Sequence, residues 1–337
     1  MIWKTAATYI AKLLLCRWDI RLVRGIDLWR PTALLGEQPA RPASTVDRAR
    51  CEPLLQSYVG ASVGALQEPF DFTVVIPTTL RPTIVDAIAS VFAQDFPGRI
   101  QLLVGIDAPT ADAKLIEQEC RRVPRHCAVQ VLYPGYSTSR RHGGLHPAWD
   151  GGVLRTLLSY LANSRYVAYL DDDNWYAPHH LASLHDAIQG HDWAYSLRWF
   201  VHPSSRRPIC EDRWESIGPV DHGTPVDPKG WVDPNCLAID KLACEAVLRW
   251  WSIPLRNTAW PMDADRNVFE ILRTEFRGRG TNNASIFYQL SEADEFRHPF
   301  RMQMIGAQRY AEAGRAGGGD LARHRPNEQR ERSLPTS

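Results

Sequence analysis

The sequence predicts an α/β protein with a mainly parallel sheet flanked by helices, and three observations carry that expectation. Between residues 71 and 171, four short apolar runs alternate with segments of helical period, the pattern of strand–helix–strand units. The runs are continuous rather than alternating, as strands buried on both faces require. Polar and acidic residues stand directly after the runs, at the strand ends where such sheets bind ligands.

The first run is Phe72 to Ile76 in FDFTVVIPTTLRP, and Pro77, which has no amide proton to give a ladder, is expected to stop it. PTIVDAIASVFAQDF follows, with Ile84, Val85, Ile88, Val91 and Phe92 at helical spacing. RIQLLVGIDAP is a second run ending in Asp107, AKLIEQECRR reads as a helix, and CAVQVLY as a third strand. A Gly-rich segment, PGYSTSRRHGGLHPAWDGG, leads into the helix VLRTLLSYLANS and the fourth strand RYVAYL. That strand delivers Asp171, Asp172 and Asp173 in YLDDDNWYAP. Thr78, Asp107 and the three Asp each close a strand and are expected to share one crevice.

Outside this core the signals thin. Residues 1–70 read as an extension and linker, with RPTALLGEQPARPAST rich in Pro, Ala and polar residues. Beyond residue 200 the alternation fades into a loop-rich stretch carrying Trp214 and Trp231, then KLACEAVLRWW and DADRNVFEILRTEF read as helices. Residues 311–337, with Gly, Arg and few apolar side chains, are expected to be a disordered tail.

Composition sets further bounds. The 337 residues are 44% hydrophobic and 23% charged with a formal net charge of +1, so no global field argues for nucleic acid. Seven cysteines without a CxxC pair argue against a disulfide framework or a zinc site and for a reducing compartment such as the cytoplasm. The first 24 residues hold an apolar stretch broken by Lys4 and Lys12, too interrupted to span a bilayer. Packing on the protein itself, or peripheral contact with the cytoplasmic face of a membrane, are the two uses such a helix has.

Three adjacent carboxylates repel unless a positive charge sits among them. Their oxygens favour hard cations, Mn²⁺ or Mg²⁺, which keep positions open for phosphate and water. If strand alternation continued, Asp171 and Asp173 would point the same way and share the metal while Asp172 reached elsewhere. An acidic turn capping the helix near Pro178 is the plainer alternative.

VVIPTTLRPTIVDAIASVFAQ, QLLVGID and VAYLDDDNWYAPHHLASL resemble, in order and spacing, the family 2 glycosyltransferases of GT-A fold. The resemblance covers residues 71–200 and is faint beyond. It implies a nucleotide-sugar-binding half at 71–200, an acceptor-binding half at 201–310, and a UDP- or GDP-sugar type of donor. The acceptor would be a glycan, lipid or protein hydroxyl. Pro77, Thr78, Thr79, Arg81 and Asp107 would line the donor pocket, with Asp107 accepting from the base and Asp171 and Asp172 also facing the donor. Arg155 stands sixteen positions before Asp171, where the family has the Arg of Ala-Arg-Asn, and would touch the diphosphate or pair with a carboxylate.

Inverting transfer also needs a base to take the acceptor proton. The family supplies an Asp at the start of a helix, which makes Asp265 the candidate, Asp263 its near alternative, and Glu211–Asp212 an early Glu-Asp pair. His298 would be a further metal ligand, Arg140 or Arg141 a phosphate contact, and Trp214 and Trp231 sugar-stacking platforms. Two other classes remain open: a non-catalytic sugar- or nucleotide-binding module, and a phosphotransferase with an Asp nucleophile.

Overall fold

The computed structural model describes residues 55–64, 66–108, 113–148, 151–225, 227–254 and 264–315. Ten strands form one sheet: β1 Leu55–Val59, β2 Phe70–Thr78, β3 Ile100–Ile106, β4 Cys127–Leu132, β5 Ser164–Tyr169, β6 Trp175–Tyr176, β7 Trp193–Val201, β8 Pro208–Glu211, β9 Leu237–Asp240 and β10 Gly278–Gln289. Their order is β1-β4-β3-β2-β5-β9-β7-β10-β6, with β8 pairing off this path with the end of β7 that β9 leaves free. Strands β4, β3, β2 and β5 are parallel, β9 enters antiparallel, and β7 and β10 resume the first direction. The mainly parallel sheet expected from the sequence is therefore the sheet observed.

The central strands are buried along nearly their whole length, as their unbroken apolar runs demand. Helix α1, Ile84–Phe92, buries Ile84, Ala87, Ile88 and Val91. Helix α2, Lys114–Cys120, links β3 to β4, and α3, Gly152–Leu161, leads into β5. A Cβ at Gly105 of β3 would come within 2.9 Å of Leu158 and 3.1 Å of Leu154, so the missing side chain sets how closely α3 approaches the sheet.

Pro77 does not stop β2. The strand runs to Thr78 and keeps register with β3 through Thr78↔Ile106. Its pairing with β5 ends at Val75↔Tyr169, and the Leu170 N–H to Val75 carbonyl bond of 3.0 Å is the last on that side. Residues 75 and 77 face the same neighbour, so the missing amide falls where β5 has already turned away.

Six strands escape the sequence reading, β1 and β6 to β10. Strand β1, antiparallel to β4 from Leu55↔Leu132 to Val59↔Ala128, comes from the segment read as linker. Strands β7, β9 and β10 build the half where the alternation fades. KLACEAVLRWW forms only a short helix, α5 Glu245–Leu248, and a 3₁₀ turn at Arg249–Ser252. Helix α6, Ala264–Glu275, is as expected; α7 Asp294–Arg297, α8 Pro299–Ile305 and α9 Ala307–Arg315 follow it, so ordered helix enters the stretch read as tail. Residues 316–337 and the expected helix at 1–24 lie outside the described residues. No described helix is long and apolar enough to cross a membrane.

Helix α4, His180–Ile188, begins with a fully buried imidazole whose Nδ1 is 2.8 Å from the Ser285 hydroxyl. Burial pushes this histidine down to about 3 from its usual value, with His179 adding to the effect. The folded chain therefore refuses a proton that the unfolded chain accepts below about pH 6.5, and stability is lost as pH falls through that point. The expected loss is about 2 kcal/mol between pH 7 and pH 5. Urea denaturation of the wild type and of His180→Gln at both pH values checks it, the variant giving a flatter dependence.

Candidate functional site

Strand order reverses at β2, since the chain builds outward through β3 and β4 and then returns to place β5 on the other side. Ligands bind at such switch points, beyond the strands' carboxyl ends. Here Thr78 closes β2, Asp107 follows β3, and Asp171–Asp173 follow β5. The Thr78 hydroxyl donates to Asp172 Oδ2 at 2.6 Å and accepts the Leu80 N–H at 2.8 Å. Arg81 completes the grip, with Nε donating to Asp172 Oδ1 at 2.8 Å and Nη2 reaching the same oxygen, while Nη1 donates to Asp173 Oδ2 at 2.7 Å. Leu80, between them, has φ +65°, a left-handed conformation costly for a branched side chain. The turn after β2 is thus bent to bring Thr78 and Arg81 onto one carboxylate.

The three aspartates do not continue the strand. They form a turn closed by the Asn174 N–H to Asp171 carbonyl bond at 3.2 Å, so strand alternation gives no guide to their directions. Asp172 is 1% exposed and fully engaged by Thr78 and Arg81. Asp171 is bound by Arg155 Nη2 through Oδ1, and by the Asn235 amide group through Oδ2 at 2.9 Å. Its own N–H donates to Asn235 Oδ1 at 2.6 Å. Of the two roles open to Arg155, pairing with a carboxylate is the contact present; the side chain is buried, its guanidinium 5.6 Å from the Trp251 ring centre. Asp173 is the least enclosed, with one-third of its side chain exposed. Desolvation pushes its carboxyl up to about 6; Arg81 opposes this, and Asp171 and Asp172 add to it.

Asp107 reaches across to the loop that follows β4. Its Oδ1 accepts the Thr138 N–H at 2.5 Å and the Ser137 hydroxyl at 3.1 Å, which ties the loop after β4 to the end of β3. In that loop Arg140 Nε donates to the Leu145 carbonyl at 2.9 Å, and Arg141 is exposed. Pro77 is buried under Gly151, which has φ +67° and whose Cβ would lie 2.5 Å from the proline ring. Only glycine allows α3 to start there. Thr79 is exposed at the crevice.

In the second half the dominant feature is Arg198, on β7 and 0% exposed. Its Nε donates to Asp212 Oδ2 at 2.8 Å, Nη2 to Glu215 Oε2 at 2.8 Å, and Nη1 to Asp233 Oδ2 at 2.5 Å. Burial pushes the Asp212 carboxyl up, but Arg198 and the N–H groups of Glu215, Ser216 and Trp214 outweigh it and hold it below its usual value. Asp212 is therefore a buried anchor, and Glu211 is paired with Arg213. Trp231 is 7% exposed, with the guanidiniums of Arg198 and Arg266 5.5 and 4.9 Å from its ring centre, so it is a packing element and not an open sugar platform. Trp214 packs against Phe200, ring centres 5.6 Å apart.

Asp265 sits in the first turn of α6 with one-fifth of its side chain exposed, Oδ1 accepting the Arg266 N–H at 2.9 Å. Arg266 also holds Asp227, with Nε to Oδ1 at 2.9 Å and Nη2 to Oδ2 at 3.1 Å. Asp263 lies outside the described residues. His298 lies 3.7 Å from Asp294, and burial, with Arg301 next, pushes it down to about 4. Among the described residues no three His, Cys, Asp or Glu converge as a metal cluster, so His298 does not join Asp171 and Asp173 in one. Sequence reasoning missed Asn235 and Arg198; the Asp-Pro-Asn turn in WVDPNC and a lone Arg inside an aromatic strand were the only signs.

No protein-family model and no curated protein sequence matches the chain. Among solved structures it is similar to S. aureus TarS, at 16% identity and a TM-score of 0.46, over 70% of this chain and 39% of that one. It is similar to S. aureus TarS 1-349 in complex with UDP-GlcNAc, at 15% identity and 0.44, over 66% of this chain and 59% of that one. It is also similar to the mannosyltransferase PcManGT from Pyrobaculum calidifontis in complex with GDP-Man and Mn²⁺, at 14% identity and 0.43, over 77% and 67%. This chain spans well under half of the full TarS chain.

Thr78→Val keeps the side-chain shape and removes one bond to the buried Asp172 carboxylate. A loss of about 1.5–3 kcal/mol in folding stability is expected, read by chemical denaturation.

Proposed function

We propose that this chain is a metal-dependent glycosyltransferase that moves a sugar from a nucleotide-diphosphate donor to an acceptor hydroxyl, with inversion. The observation that supports the reading is the bonded convergence of Thr78, Arg81 and Asp171–Asp173 at the switch point between β2 and β5. The donor in this reading is a UDP- or GDP-sugar. The acceptor is a glycan, lipid or protein hydroxyl met in the cytoplasm or at the cytoplasmic face of a membrane.

The residues fit a divalent cation. Three carboxylates face two guanidiniums, Arg81 and Arg155, and the carboxyl of Asp173 is pushed up, chiefly by desolvation, with the charges of Asp171 and Asp172 adding to it. Mn²⁺ or Mg²⁺ relieves such an excess, and carboxylate oxygens suit both. Asp173 would hold the ion, with Asp171 beside it, and the donor's phosphates and water would complete the shell. When bound, the ion supplies Lewis-acid stabilisation of the departing diphosphate.

The remaining work falls to side chains. Asp172, locked by Thr78 and Arg81, shapes the floor of the crevice. Asp107 and the loop it holds form the side where the nucleoside would lie. Asp265, part-exposed at the start of α6, takes the acceptor proton in this reading. An aspartyl-nucleophile phosphotransferase is less well supported, because Asp171 and Asp172 are already committed to internal cations.

A panel of nucleotide-sugars with Mn²⁺, followed by nucleotide release and thermal stabilisation, tests the assignment. Asp173→Asn is expected to abolish turnover and weaken metal-dependent nucleotide binding; full activity in that variant overturns the reading. Asp265→Asn is expected to keep nucleotide binding and lose transfer, and equal loss of both reassigns that residue.

A further inference from the structure

We propose that a run of side chains, Asn235–Asp233–Arg198–Trp231–Arg266, buried except for Arg266 at its end, is a positioning element that fixes Asp171 relative to Asp265, an inference that rests on the glycosyl-transfer reading above. Each link is a direct contact. Asn235, 0% exposed, holds Asp171 twice, accepting its N–H at 2.6 Å and donating to Oδ2 at 2.9 Å. Asp233 fixes Asn235 in turn, its Oδ1 accepting the Asn235 backbone N–H at 2.9 Å and the side-chain amide at 2.5 Å. Its other oxygen, Oδ2, takes Arg198 Nη1 at 2.5 Å.

Arg198 is pinned by three carboxylates on three separate nitrogens, so its plane has no freedom to turn. The Trp231 ring lies against it and carries Arg266 as well. Arg266 is the residue next to Asp265 and donates its N–H to that side chain. The run therefore leads from the turn after β5 to the first turn of α6 through side chains that are almost fully enclosed as far as Trp231, which is 7% exposed against 0% for Arg198, and reaches partial exposure only at Arg266.

Stability alone is a poor reason for such a run. Replacing a buried ionic cluster by well-packed apolar residues is often neutral or stabilising, whereas the cluster gives directional contacts that apolar packing lacks. Direction is what two groups acting on opposite sides of one carbon need, because small misplacements cost large factors in rate. The element ends on Asp171 and at Asp265, the two places where direction has a use.

The test uses the full chain, with Mn²⁺ titrated by electron paramagnetic resonance in the presence of UDP and of GDP, and donor consumption measured separately. Asn235→Ser is expected to remain folded by circular dichroism and to bind Mn²⁺ roughly 10–100-fold more weakly, the usual cost of losing a group that orients a metal ligand. Trp231→Leu is expected to keep nucleotide and Mn²⁺ affinity while kcat for donor consumption falls about 100-fold, and Trp231→Phe, which retains an aromatic face, to recover most of it. Wild-type Mn²⁺ affinity in a folded Asn235→Ser, or wild-type turnover in Trp231→Leu, overturns the inference. Should Asn235→Ser fail to fold, the Trp231 pair decides alone. A wild-type protein that takes up neither nucleotide with Mn²⁺ is a different failure: it sinks the glycosyl-transfer reading, and this inference with it.

Discussion

A guanidinium with no access to water constrains this molecule more than any other single group. Moving one ion out of water costs several kcal/mol even after relaxation, and Arg198 recovers that cost only by meeting Asp212, Asp233 and Glu215 at once. Each of those carboxylates must then be brought to the same point. The Asp212 carboxylate is fixed by three backbone N–H groups of the chain that follows it, the backbone of Asp233 by its N–H donating to the Ser216 hydroxyl, and the Glu215 carboxylate by a second arginine, Arg301, on α8. The irregular stretch between β8 and β9 therefore has a defined path without regular secondary structure. Its shape is set by the charge it must enclose.

The same logic runs through the crevice. Asp172 is as enclosed as the core leucines, and it is carried by Thr78 at the end of β2 and Arg81 in the turn after it, 94 and 91 positions earlier in sequence. Asp171 draws on α3 through Arg155 and on the Asp233–Asn235 turn. Three neighbours in sequence thus have three different sets of partners and three different exposures. Asp173 is left with its carboxyl pushed up, and a cation from outside is what would bring it back.

Much of the first half was legible because its strands are buried on both faces and its helices on one, so period and composition report each element directly. That Thr78 and the Asp171–Asp173 turn come together followed from strand ends alone, whereas the Asp107 side chain is spent on the loop after β4. The second half resisted for physical reasons. Strand β7, WAYSLRWFV, interleaves half-buried aromatics and a buried Arg, so no clean alternation appears. Strand β10 contains Gly278, Gly280 and Asn282, the last at φ +60°, and its register with β7 shifts twice between Gly280 and Ile286. Such a strand is imposed by its neighbour and not by its own residues. Asn235 and Arg198 were hidden for a related reason: their partners lie 64, 14, 17 and 35 positions away, and no local pattern records that.

Strand β2 outlasts its pairing with β5 by three residues, and the second of these is Pro77. Any other residue at that position would carry a hydrogen-bond donor aimed at the departing chain, inviting β5 to zip up by one more rung. Proline withholds the invitation. The separation of β2 and β5 beyond Val75 is thus written into covalent structure, since residue 77 has no N–H with which to extend the ladder.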